Sequence, residues 1–149
     1  MNSLQLEQFL PYHLVVSADL ISNALSKVYA KHQVTVPEWR ILAQLSTHHS
    51  LTPGELGRLT KMEKARISRA LILMDGKHWI GRTVDRYDKR SAHISLSETG
   101  QAVYKMIEPE ILAWNQGFMQ LLGQEQHEQL LSTLKQIECW SQHQKVEES

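Results

Sequence analysis

Apolar residues recur at helical spacing through most of the chain. Near the start, Leu14, Ile21 and Val28 repeat every seven residues, with further apolar residues between them. This spacing predicts a long first helix with a coiled-coil-like apolar seam. Pro37 suits the first position of a second helix, which is predicted to carry Trp39 on its apolar side.

The clearest local signal is a capping box at Thr52 and Glu55, with Pro53 placed to open a short helix. A further helix is predicted to start near Glu63. Its inward face is predicted to carry Ile67, Ala70, Leu71 and Met74. Gly76 is expected to end this helix in the left-handed conformation.

Two short stretches with strand character, 80–85 and 92–96, flank a polar turn and predict a β-hairpin with a charged tip. Ser97 is expected to cap the helix that follows, and Pro109 to kink it. Gly123 then separates that helix from a last one with apolar residues at Leu130, Leu131, Leu134, Ile137 and Trp140.

The predicted fold is mainly α with a small β-hairpin wing. A winged helix-turn-helix lobe would span about residues 34–100, with the recognition helix near 63–76 and the wing near 80–96. The outer helices, 1–33 and 101–145, are too apolar on one side to stand alone. They are therefore predicted to pair with the same helices of a second chain.

Charge is unevenly distributed over the 149 residues, although the formal net charge is zero. The segment 58–93 holds ten basic and four acidic residues, a net +6, which leaves −6 for the rest. This asymmetry predicts a polyanion-binding module, while charge alone fits a solvated basic face equally well. The sequence shows no membrane-spanning apolar run and no signal peptide, so a cytoplasmic protein is expected.

The second helix of a helix-turn-helix lies in the DNA major groove, where side chains near its N-terminus reach base edges. Here the polar side chains in that part are Lys64, Arg66, Ser68 and Arg69. Lys64, Ser68 and Arg69 are predicted to read bases, since they lie opposite the inward face. Thr60 and Lys61, in the preceding turn, are predicted to contact phosphates.

The tip of the hairpin adds a second set of basic residues. Arg90 is predicted to enter the minor groove, and Arg86 and Lys89 are predicted to hold phosphates. Asp88 could orient the Arg90 guanidinium, or the two could form a surface ion pair of little energetic value.

These residues resemble the MarR family of transcriptional regulators. The most specific matches are Leu51-Thr52-Pro53-x-Glu55-Leu56, Ile67-Ser68-Arg69, and Asp88-x-Arg90 followed by Ile94-x-Leu96-Ser97-x2-Gly100. The resemblance implies a homodimer that binds double-stranded DNA at a pseudo-palindromic operator. It also implies repression that is relieved by a small ligand.

Two further segments, Phe9-Leu10-Pro11-Tyr12 and Val36-Pro37-Glu38-Trp39-Arg40, are similar to a branch with many regulators of aromatic-compound metabolism. The resemblance implies an effector such as an aromatic carboxylate. We expect Tyr12, His13, Trp39 and Arg40 to line its pocket, with His13 or Arg40 meeting the carboxylate. The alternative is that Trp39 belongs to the core and Arg40 to a structural ion pair.

Other functions find less support in the sequence. The eight histidines show no pair at the spacing of three or four that a helical metal site favours, and no cofactor is expected. Cys139, the single cysteine, is expected to be a packed small residue rather than a redox sensor. No catalytic motif is present, so an enzyme is not expected. A winged-helix module that binds protein instead of DNA is the other class, although its wing would not need ten basic residues.

Overall fold

A computed structural model describes residues 3–84, 86–87 and 92–147. The described residues form six α-helices and one β-hairpin. After a short 3-10 turn, Leu6–Gln8, the elements follow in the order α1 (Leu10–Ala30), α2 (Val36–His48), α3 (Pro53–Thr60), α4 (Lys64–Gly76), β1 (Ile80–Val84), β2 (Ala92–Leu96), α5 (Glu98–Leu122) and α6 (Gln124–Glu147). The mainly helical fold with a hairpin wing is thus confirmed.

The chain forms two compact units, Met1–Ile111 and Leu112–Ser149. The first contains one hydrophobic core, built by α2, α3, α4 and the hairpin with residues from α1 and α5. All four residues predicted for the inward face of α4 are buried: Ile67, Ala70, Leu71 and Met74. Burial of this apolar face holds α4 in the lobe.

Two capping boxes fix the starts of α2 and α3. At α3 the predicted box is present: Glu55 N donates to Thr52 Oγ1 over 3.2 Å, and Thr52 N donates to Glu55 Oε2 over 2.8 Å. That backbone hydrogen bond lowers the pKa of Glu55. A second box, which the sequence analysis missed, joins Thr35 and Glu38, so α2 begins at Val36, one residue before Pro37.

Glu38 is fully buried and forms the principal ion pair of the lobe. Its Oε1 accepts from Lys77 Nζ at 2.8 Å, while its Oε2 accepts from Thr35 N at 2.8 Å. Lys77 Nζ also donates to Gln33 O over 2.7 Å and lies 4.3 Å from the centroid of a Trp79 ring. These contacts connect the start of α2 to the C-terminal end of α4.

The end of α4 differs from the prediction made for Gly76, which was wrong. The helix includes Gly76, and the left-handed residue is His78, with φ of 59°. His78 N donates to Asp75 O and Trp79 N donates to Met74 O, each over 2.9 Å, in a Schellman arrangement. Trp79 is 7% exposed, so burying its ring sets where the chain turns.

The hairpin pairs β1 with β2 in antiparallel register, with Ile80 opposite Leu96. A third segment joins β2 at its other edge: Leu51 N donates to Ile94 O over 3.0 Å, and Ile94 N donates to Leu51 O over 2.7 Å. The base of the wing is therefore fixed to the segment that precedes α3. The sequence analysis did not predict this bridge.

Helix α5 starts where Ser97 caps it, as predicted. Ser97 Oγ accepts from Gly100 N at 3.1 Å and donates to His78 O over 2.6 Å. Gly100 packs so tightly that a Cβ atom there would lie 2.0 Å from Trp79 O. Helix α5 continues through Pro109 and ends before Gly123, whose φ is +74°.

Glu110 links α5 to the end of α1. Its carboxylate lies 2.5 Å from Lys31 Nζ and 3.0 Å from His32 Nε2. The hydrogen bond from Lys31 contributes most to lowering the pKa of Glu110, and that from His32 contributes next.

The second unit contains the end of α5 and all of α6. Within it, the rings of Trp114 and Phe118 stack at 5.6 Å between centroids. Several of its large apolar side chains are exposed: Leu121, Leu130, Leu131 and Trp140. Among the described residues, none of the helices combines the length and the apolar character needed to cross a bilayer.

We predict that Lys77→Met lowers the free energy of unfolding by about 2–4 kcal/mol, because the fully buried Glu38 carboxylate would lose its cationic partner. Glu38→Gln should lower the free energy of unfolding by a smaller amount, because the remaining Lys77 ammonium is 30% exposed and can be hydrated. Chemical denaturation at one fixed protein concentration measures both. Lys64→Met, at the exposed start of α4, is the matched control. Equal effects of Lys77→Met and Lys64→Met would contradict the structural role of the ion pair.

We also predict opposite effects of alanine at two glycines of α5. Gly100→Ala should destabilise the fold by several kcal/mol, on the order of an overpacked core site, because the new methyl would overlap Trp79 O. Gly117→Ala has open space around it and should stabilise by about 0.5–1 kcal/mol through helix propensity. Thermal unfolding of the two variants compares them directly. A tolerated Gly100→Ala would exclude the close approach.

Candidate nucleic-acid interface

Helices α3 and α4 form a helix-turn-helix. The turn between them depends on Lys61, which ends α3 in the left-handed conformation with φ of 57°. Met62, which follows, is buried and anchors the turn in the core. Helix α4 then starts at Lys64. This arrangement leaves one side of α4 free for a partner.

The exposed face of α4 follows from its helical geometry. Successive residues rotate by about 100° around the axis, so the buried residues occupy one side and Ala65, Arg69, Ile72 and Gly76 lie near the centre of the other. All four of these residues are exposed. Ser68 lies between the centre and one flank. Lys64 and Arg66, also exposed, lie on opposite flanks.

The charge of this surface comes from four exposed basic residues. Lys61, Lys64, Arg66 and Arg69 form no ion pair with any residue that the structure describes. By contrast, Arg82 of β1 lies 3.5 Å from Asp75. The four unpaired cations therefore make a positive surface that can attract a polyanion.

Thr60 and Glu63 lie on either side of the turn between α3 and α4. The Thr60 hydroxyl donates to Leu56 O over 2.6 Å, so its proton is already engaged within α3. Glu63 occupies the N-cap position of α4, but its side chain makes no capping hydrogen bond. Glu63 is exposed and directly precedes Lys64 in the sequence.

The wing is described only in part. Arg86 lies in an exposed bend after β1. Asp88, Lys89 and Arg90, which were predicted to act at the hairpin tip, lie outside the described residues. Their assignment stays a prediction.

The residues predicted to bind an effector occupy two places. Trp39 is half-buried and stacks between Tyr29 and Tyr104, with centroid distances of 5.5 and 5.9 Å. Burial raises the pKa of Tyr29, and the positive charge of Arg40 opposes that shift. These contacts show that Trp39 packs against the core, which was the alternative considered for it.

Tyr12 and His13 lie on the exposed side of α1. Their rings meet edge to face at 5.7 Å, and His13 Nε2 is 2.9 Å from Glu7 O. Among the described residues, no ring contact or hydrogen bond joins this pair to Trp39 or Arg40.

A cavity of about 670 Å³ lies beside the Trp39 stack, between α2, β2 and α5. Its polar lining includes Lys105, Gln101 and the Tyr104 hydroxyl, which donates to Glu108 over 3.1 Å. Burial is the main cause that raises the pKa of Tyr104. The full lining comprises Leu45, Ser46, Thr47, His49, Ser95, Leu96, Gln101, Tyr104, Lys105 and Glu108. None of the four residues predicted for the effector site belongs to it.

Two observations concern the alternatives that this protein senses a metal ion or an oxidant. Within the part of the chain that the structure describes, no group of three His, Cys, Asp or Glu side chains is placed to hold a metal ion. Cys139 was expected to be packed, and that expectation was wrong: it is exposed on α6. Its Sγ lies 3.9 Å from His143 Nδ1, one turn further along the helix.

Comparisons with known proteins agree on one class. The sequence profile of the MarR family matches residues 32–91. An uncharacterized HTH-type transcriptional regulator from Bacillus cereus is 30% identical over 114 residues, which make up 76% of each of the two proteins.

Solved structures show the same fold. A mutant MarR from E. coli, complexed with operator DNA, has a TM-score of 0.80 at 19% identity and covers 91% of this chain and 99% of its own. NadR in complex with 4-hydroxyphenylacetate has a TM-score of 0.77 at 17% identity, with 92% and 97% covered.

The helix-turn-helix, the hairpin wing and the extent of the sequence match lead to one conclusion. The chain belongs to the MarR family of winged helix-turn-helix, DNA-binding transcriptional regulators.

Proposed function

We propose that this protein is a homodimeric repressor that binds a pseudo-palindromic operator and is released from it by a small ligand. The observation that carries the DNA-binding part is the exposed side of α4, where Lys64, Arg66 and Arg69 have no ionic partner among the described residues. Cations without partners can approach phosphates and base edges without first breaking an internal ion pair.

The contacts are proposed residue by residue. Ser68 and Arg69 address base edges in the major groove, because they lie at or near the exposed centre of α4. Lys64, on one flank, reaches base edges from the N-terminal end of the helix, which is the part that enters the groove. Arg66, on the opposite flank from Lys64, reaches the phosphate backbone. Lys61 and Arg86 also hold phosphates. Thr60 is a weaker candidate, since its hydroxyl proton is directed at Leu56 O.

The tip of the wing completes the proposed interface. Arg90 would enter the minor groove with Asp88 beside it, and Lys89 would hold a phosphate. Their sequence positions, adjacent to a bend that exposes Arg86, support this assignment.

A homodimer is proposed because each unit exposes large apolar side chains that a folded protein usually covers. On α1 these include Leu10, Val15 and Leu20, which are 61–65% exposed. On α6, Trp140 is 65% exposed. The proposed dimerisation segments are 1–33 and 101–145, as predicted from the sequence. A two-fold dimer would place two α4 helices about one DNA turn apart.

The proposed effector is a small aromatic acid. A volume of about 670 Å³ lies within the range of small-molecule sites, and Lys105 supplies a cation in its lining. NadR, which shares the fold, binds 4-hydroxyphenylacetate. Tyr12, His13, Trp39 and Arg40 stay the site predicted from the sequence, so two locations compete. Binding would release DNA only if the ligand prefers a conformation with lower DNA affinity.

We predict that Arg69→Ala weakens specific operator binding by about 1–3 kcal/mol, because it removes a donor pair aimed at base edges. Operator sequences would first be selected from random duplexes, and affinities then measured by fluorescence anisotropy over a salt series. The wild type should show a log–log salt slope near −0.9 per phosphate contact. Lys135→Ala, an exposed charge removal on α6, is the matched control. Once sedimentation shows that it keeps the association state of the wild type, it should change affinity little.

The same titration separates DNA binding from the second class, a protein-interaction module. A protein-binding module would give no steep salt slope with duplex DNA at any sequence. Equal affinities of Arg69→Ala and Lys135→Ala would remove Arg69 from the proposed contacts.

For the effector, we predict that 4-hydroxyphenylacetate, used as a probe, changes the fluorescence of Trp39 and lowers operator affinity. Arg40→Ala should weaken the response about tenfold if Arg40 binds the carboxylate, since a charged hydrogen bond is worth about 1.5–3 kcal/mol. Lys105→Ala tests the cavity instead. Sensitivity to Lys105→Ala alone would move the site into the cavity, and an unchanged response in Arg40→Ala, His13→Ala and Lys105→Ala would reject both locations.

A further inference from the structure

We infer that Ile72 contacts the C5-methyl group of a thymine in the operator and so helps to determine its sequence. The inference rests on the proposed function, because it needs α4 to lie in the major groove. Ile72 is a β-branched aliphatic residue in the recognition helix, and it is 67% exposed. Isoleucine is among the residue types most often found buried, and here it is exposed on the face of α4 that is proposed to meet DNA.

The geometry places Ile72 among the residues proposed to contact DNA. It is one helical turn beyond Ser68 and three residues beyond Arg69, and both of these side chains are exposed. At about 1.5 Å of rise per residue, Ile72 lies about 4.5 Å from Arg69 along the helix axis. That distance is close to one base-pair step of about 3.4 Å.

The chemistry of the groove identifies the contact. Base edges in the major groove present hydrogen-bond donors and acceptors, and the C5-methyl of thymine is their apolar feature. The isoleucine side chain has no polar group, so it cannot form hydrogen bonds with the donors and acceptors of the base edges. A thymine within one or two base pairs of the base read by Arg69 is therefore the partner that Ile72 can distinguish.

The charge around Ile72 favours DNA over a protein partner. Lys64, Arg66 and Arg69 are exposed on the same helix, and none has an ionic partner among the described residues. An apolar side chain on a positively charged helix fits a groove lined by phosphates. Leu73, which is 52% exposed, lies on the flank near Arg66, about 70° from the centre of the exposed face. It therefore supplies a matched aliphatic control.

The test replaces each thymine of the selected operator, one at a time, by uracil, which lacks only the methyl group. For the wild type we expect an affinity loss of about fourfold at one or two positions, which corresponds to about 0.8 kcal/mol for one buried methyl-sized group. Ile72→Ala should bind the unmodified operator more weakly and lose the uracil penalty at those positions. Leu73→Ala should keep that penalty. Thermal unfolding checks that both variants are folded.

Each result has a distinct meaning. A uracil penalty that Ile72→Ala retains at the same positions would overturn the assignment to Ile72. Uniform wild-type affinity for all uracil duplexes would overturn the methyl contact while leaving operator binding intact. Failure of the wild type to bind any unmodified duplex would instead overturn the proposed function, and this inference with it.

Discussion

The lobe depends on the ion pair between the buried Glu38 and Lys77. A carboxylate with 0% exposure has lost its hydration, so it must be compensated by nearby donors. Lys77 and Thr35 supply them, and the same Lys77 ammonium contacts Gln33 O and the face of Trp79. One buried charge therefore joins the start of α2, the end of α4 and Trp79, which directly precedes β1.

Consequences of this link extend to the surface that would meet DNA. Lys77 follows α4 directly, so its bonds constrain the position of that helix in the lobe. Trp79 O accepts from Ser97 N over 3.0 Å, and Gly100 permits α5 to pack closely against it. The start of α5, the base of the wing and the end of α4 thus share one set of contacts. Burial of Ile67, Ala70, Leu71 and Met74 holds the opposite side of α4 in the lobe.

Local signals in the sequence predicted much of this arrangement. The box at Thr52 and Glu55 and the inward face of α4 depend on residues at most seven positions apart, so spacing alone revealed them. The partnership of Glu38 with Lys77 spans 39 positions, and no local pattern encodes it. The error at Gly76 has the same origin: burial of Trp79 determined the turn, although glycine was the better local candidate. Helical spacing identifies Ile72 as outward-facing, because it lies opposite the buried face of α4.

The cavity beside the Trp39 stack could not be predicted from spacing along the chain. Trp39 stays a predicted effector residue, and its ring stacks on Tyr29 and Tyr104. The cavity depends on residues from α2, β2 and α5, separated by up to 63 positions, and its lining follows from tertiary packing. A pattern read along the chain does not bring such residues together.

We propose that two copies of this chain bind one DNA duplex through α4 and the wing. Sedimentation velocity of the protein with a selected duplex, at about 50 and 200 mM salt, measures how many chains bind. We expect two chains on each duplex at the lower salt and marked dissociation at the higher salt. A single-chain species that ignores every duplex at about 50 mM salt would contradict it.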